Sequence, residues 1–109
     1  MIQIDLLLEI IATYRKHGWQ LRRVLLTDAD ARAALNKNPA VAGAIVDLTS
    51  LNAVWFSRPS HQNREAWELR LIAETPYALF ETFEPDETEE ERDEVRIEME
   101  ARMREYVSR

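Results

Sequence analysis

Cysteine is absent from this chain of 109 residues, and glycine, histidine and proline are scarce, at two, two and four. Without a thiol there is no disulfide, thiolate metal site, iron–sulfur cluster or cysteine nucleophile, a composition suited to a reducing compartment. Two glycines, Gly18 and Gly43, are too few for the loops that cradle phosphates in Walker or dinucleotide sites, and no GxSxG elbow occurs. His17 and His61 stand 44 positions apart, so a histidine-based zinc site would have to recruit carboxylates from elsewhere. No apolar run reaches the roughly 20 residues of a bilayer span, because Asp5 and Glu9 interrupt the only candidate. That same segment lacks the basic start and small-residue cleavage site of a signal peptide. These absences predict a cytoplasmic protein, bacterial in character, with no membrane association, metal or cofactor.

What is present points to one α+β domain spanning residues 1–109. The first segment spaces Ile4, Leu7, Leu8, Ile11 and Tyr14 by three and four, the stripe of a helix from Asp5 to His17. Arg15, Lys16 and His17 suit its negative C-terminal dipole, Gly18 supplies a left-handed stop, and Trp19 is placed to fold back. Branched and large apolar residues predict a strand over Leu21–Leu26, and Thr27 or Asp28 can cap a short helix running to Ala34 or Leu35. Residues 40–51 read equally as a strand or a helical turn, since a brief apolar run distinguishes neither.

The stretch from Asn52 to Phe83 carries the clearest pattern. Val54 and Phe56 alternate with Trp55 and Ser57, Trp67, Leu69 and Leu71 with Glu68, Arg70 and Ile72, and Leu79 with Phe80, three strands of a meander. A long helix follows from Asp86 or Thr88 to about Tyr106, with Val95, Met99, Met103 and Tyr106 on its apolar face. The expected order is αβ(α)βββα: a two-layer sandwich of a mainly antiparallel, three- to four-stranded sheet packed by N- and C-terminal helices.

Charge is concentrated. Of the net −6, residues 81–94 hold nine acids and one base, a local balance of −8, and the flanking segments are each +1. The acidic patch of Glu84, Asp86, Glu87, Glu89, Glu90 and Glu91 favours a helix dipole at its start. It could also attract a basic partner, as an acidic decoy or antitoxin-like inhibitor would. It lacks the glycine and alternating ligands of a calcium loop. Nucleic-acid binding is not expected, because the balance is acidic and Arg15–Lys16 and Arg22–Arg23 would have to merge into one patch.

The remaining candidates lie around the meander. Adjacent Trp55 and Phe56 must point to opposite faces of their strand, so both faces of the sheet carry large apolar groups and something must cover the second. Either the C-terminal helix does so, or another chain, which makes homodimerisation or binding to another protein the leading functional expectation. Trp55, Phe56, Arg58, His61, Arg64 and Trp67 form the candidate partner-binding set. As an enzymatic or small-molecule alternative, His61 could act as a base and Arg58 or Arg64 could hold an anion. No catalytic constellation is assigned.

Overall fold

The computed structural model describes residues 4–109. Helix α1 spans Ile4–Lys16 and leads into strand β1 (Gln20–Leu26), helix α2 (Ala29–Leu35), strand β2 (Ile45–Leu48), strand β3 (Ala53–Pro59), strand β4 (Glu65–Leu71), strand β5 (Ala78–Phe83) and helix α3 (Glu89–Val107). A 3-10 turn lies at Pro39–Val41, and a turn with left-handed backbone at His61–Asn63. The strands make one mixed sheet in the order β2-β1-β3-β4-β5, with β2 parallel to β1 and every other pair antiparallel.

The α+β class and the meander agree with the sequence reading; strand count and layering do not. The ambiguous residues 40–51 form a 3-10 turn and then β2, giving five strands and the order αβαββββα in place of αβ(α)βββα. Helices also cover both faces of the sheet rather than one. Leu7, Ile10 and Ile11 of α1 and Leu35 of α2 pack with Leu21, Val24, Leu26, Val54 and Phe56 on the first face. Met99 and Met103 of α3 pack with Leu25, Ala53, Trp55, Trp67, Leu69 and Phe83 on the second. The reason is β3, whose first five residues are all buried. A strand that is apolar on both sides is stable only between two layers.

Local chemistry explains the element ends. Gly18 has φ 86° and Gly43 φ 84°, so the two glycines sit where the backbone is left-handed and a side chain would be strained. The turn at Gly18 folds Trp19 back: its N–H donates to the Tyr14 carbonyl at 3.0 Å, and the two rings meet edge to face at 6.0 Å. Asp28 caps α2 through the N–H groups of Asp30 and Ala31. Thr88 and Glu91 form a reciprocal capping box at the start of α3, which settles the start at Thr88 rather than Asp86. The β3–β4 hairpin closes through Gln62 and Asn63 at φ 58° and 62°, without any glycine.

Beneath α3 the buried stripe is narrow, comprising Met99, Met103 and the stem of Arg96, with Val95 partly packed. Met103→Ala should therefore lower stability by about 2–5 kcal/mol, whereas Ile97→Ala, on the exposed side, should change it by less than about 0.5 kcal/mol. Urea unfolding of the two variants checks the assignment; equal losses would mean that α3 packs by another face.

Candidate functional site

Strands β3 and β4 place the expected partner-binding residues apart. Phe56 is fully buried and stacks on Tyr14 at 4.1 Å, with the rings 6° from parallel. Trp55 is buried on the opposite face, and its indole N–H donates to Glu100 Oε2 at 2.8 Å. Trp67 lies beside it, ring centroids 6.0 Å apart, and donates to Glu65 Oε1 at 2.5 Å. Both tryptophans and Phe56 are thus core residues, and α3 covers the face that Trp55 presents.

The polar members of that set do not converge either. Arg58 lies over Trp19, 4.4 Å from the ring centroid, and donates to the His17 carbonyl at 3.0 Å. Arg64 pairs with Glu84 at 2.7 Å. His61 is exposed in the hairpin turn, where its carbonyl receives the Arg64 N–H. Among the described residues, no cluster of three histidines, aspartates or glutamates stands as metal ligands would.

The acidic run is partly engaged in holding the fold together. Glu84 bonds Arg64 and, through its carbonyl, Arg92 Nη2 at 2.8 Å, and its N–H donates to Glu87 at 2.7 Å. Glu89 pairs with Arg96. Glu91 accepts the Thr88 N–H, which holds its carboxyl below the ordinary carboxylate range. Asp86 and Glu90 are exposed.

A cavity of about 380 Å³ lies between α3 and the β1 half of the sheet, lined by Arg22, Arg23, Trp55, Trp67, Arg96 and Glu100 among others. Arg96 comes from α3, and the other two arginines from an irregularity in β1. Leu21 is opposite Phe56 and Arg23 opposite Trp55, so Arg22 is the extra residue of a β-bulge. The bulge brings Arg22 to the same ring as Arg96: their guanidiniums lie 5.2 Å and 4.5 Å from the Trp67 centroid. Arg15 and Lys16, on α1, belong to the opposite side of the sheet, so the two basic pairs form no common patch. Within the cavity charge is largely answered already. Arg96 meets Glu89 and Asp93, Arg23 meets Asp47 at 3.4 Å, and Glu100 receives the Trp55 indole. Only Arg22 lacks a carboxylate partner among the described residues, which leaves little unpaired chemistry for a ligand.

The two sheet edges differ more sharply. At β2, Thr49 N–H donates to the Leu26 carbonyl at 2.8 Å, so by alternation Val46 and Leu48 turn their backbone groups away from β1. Arg32 Nε donates to the outward Val46 carbonyl at 3.0 Å, so a side chain takes one group of this short edge. At β5, Leu71 N–H donates to the Tyr77 carbonyl at 2.9 Å, so Ala78, Phe80 and Thr82 direct their N–H and C=O groups outward. Among the described residues nothing bonds to those six groups. Phe80, in the middle, is 58% exposed and meets Trp19 edge to face, at 6.5 Å between centroids. Sequence reasoning missed this edge because alternation reveals which face a residue takes, not which strand is outermost.

One half-buried titratable group shapes the response to pH. Burial, and then its hydrogen bond to Glu68, raise the Tyr14 phenol well above its ordinary value of 10.0. The folded state therefore keeps this proton after the unfolded chain releases it, and stability falls as pH rises past about 10. Tyr14→Phe should remove that part of the alkaline slope. Unfolding free energies measured from pH 8 to 12 test it, and an unchanged slope would rule Tyr14 out as the source.

Comparison with known protein families, with characterised proteins and with solved structures finds no match for the chain.

Proposed function

We propose that this protein is a non-catalytic interaction module that binds an extended polypeptide segment along the free edge of β5. The observation that carries the reading is the row of outward N–H and C=O groups at Ala78, Phe80 and Thr82, unpartnered among the described residues and centred on an exposed phenylalanine. An added strand would satisfy these groups and use Phe80 for side-chain contact, the mode by which sheets recognise peptides.

Four further features support it. The opposite edge is only four residues long and has its Val46 carbonyl taken by Arg32, so β5 offers the longer uninterrupted row. Trp55, Phe56 and Trp67 are spent on the core, so a partner cannot use them without unfolding the layers. The loop from Arg58 to Arg64 disperses its charged groups instead of gathering them, which counts against the enzymatic alternative. The acidic run engages several of its carboxylates in capping and ion pairs, which counts against the decoy alternative.

A synthetic peptide copying residues 77–83 is a suitable probe, because it carries the same alternation as the strand it would pair with. It should bind with an affinity that a single N-methyl group on its Phe80 amide weakens at least tenfold, and Phe80→Lys in the protein should weaken it similarly. Fluorescence titration of a labelled peptide reads both effects. Binding that ignores the N-methyl group would remove backbone pairing from the account, and absence of binding to protein dilute enough to be monomeric would end the proposal.

A further inference from the structure

Given that open-edge reading, on which the inference rests, we infer that the occupant of the β5 edge is a second copy of this chain, paired antiparallel about a two-fold axis at Phe80. Three positions direct backbone groups outward, Ala78, Phe80 and Thr82, and both ends of the row are closed. At one end Pro76 has no N–H to give. At the other, Glu84 has already placed its N–H on Glu87 and its carbonyl on Arg92.

These stops select one register. With Phe80 opposite Phe80 of the other copy, Ala78 faces Thr82 and Thr82 faces Ala78, and all three hydrogen-bonded pairs are formed. A shift of the axis to Leu79 sets Thr82 against Pro76, which cannot donate. A shift to Glu81 sets Ala78 against the occupied Glu84 and brings two Glu81 carboxylates face to face, which is destabilising. Only the Phe80-centred pairing uses every free group of both edges.

Side chains agree with that choice. Ala78, Phe80 and Thr82 carry no charge, so two net-negative chains meet along a neutral line, with an aromatic cross-strand pair at the axis. On the other face Leu79 meets Glu81, an uncharged residue against a carboxylate. The two sheets then join into one of ten strands, near the upper range for an open twisted sheet. An interface one strand wide lies at the weak end of specific association, so the dimer depends on protein concentration.

The absence of cysteine makes the register directly readable. In the double variant Ala78→Cys with Thr82→Cys, each thiol lies opposite the other type across the axis, with Cα atoms about 5.5 Å apart, within disulfide range. Four residues along one strand are about 13 Å apart, too far for a bridge inside one copy. Mild oxidation of the double variant should give a covalent dimer on a non-reducing gel, while each single variant remains a monomer. A covalent dimer from either single variant would overturn the register. No covalent dimer from any variant, with light scattering of the native protein giving a constant monomer mass over a hundredfold concentration range, would overturn the second copy as occupant. If the peptide of residues 77–83 still bound in that case, the open-edge reading would survive alone; if it did not, both would fall.

Discussion

Everything in this molecule depends on β3 being apolar on both sides. Ala53 and Trp55 face one layer and Val54 and Phe56 the other, all of them buried. At about 1.5–3 kcal/mol for each large side chain fully buried, neither side can be left in water. The strand therefore sits at the centre of the sheet, and a helix must close each face. On one side, α1 presents a broad stripe whose Tyr14 reaches Phe56. On the other, α3 contributes two methionines and a guanidinium laid over aromatic rings. The second closure is the leaner of the two. It compensates by polar contacts at its rim, where Glu100 meets the Trp55 indole and Arg92 spans Glu65 and the Glu84 carbonyl.

Aromatic rings and charged side chains are combined throughout the second layer. Arg92 and Arg96 both lie over Phe83, at 5.7 and 5.8 Å from its centroid, and Arg96 also lies over Trp67. Such contacts are worth about 0.5–1 kcal/mol where exposed and about 2 where water is excluded. Arg96 is the buried member, so its contact with Trp67 belongs near the upper figure, while its partner Glu89 is mostly exposed and adds little. An acidic helix is thus fastened to an apolar sheet by its few cations, which explains how a helix with so little apolar surface can cover one.

Much of the fold was legible in the sequence. The helix around Leu7 and Ile11, the stop at Gly18, the strand at Leu21–Leu26 and the meander all follow from period and punctuation. Two things were not. Strand β2 is four residues long, and Ile45, Val46 and Leu48 carry no alternation that separates a strand from a helical turn; pairing with β1 decides it. Layering was hidden because Val95, Met99, Met103 and Tyr106 are too few to signal a full covering helix, so the sequence left the second face to either that helix or another chain. The candidate site was less legible still. Aromatic richness drew attention to Trp55, Phe56 and Trp67, which the core consumes. The features that remain at the surface, Phe80 and the outward amides around it, depend on strand order, a property no single strand encodes.

The bulge at Arg22 separates what the fold requires from what the chain contains. Omitting that one residue would leave Leu21, Arg23, Val24 and Leu25 in perfect alternation, with each core side chain in its present layer. Arg22 is therefore a surplus position in the strand: architecture does not call for it, and its one aromatic contact could be lost without moving a core residue. For this strand, a change in length is a gentler edit than a change in composition. A one-residue deletion would preserve the packing pattern that a single polar substitution at Val24 would destroy.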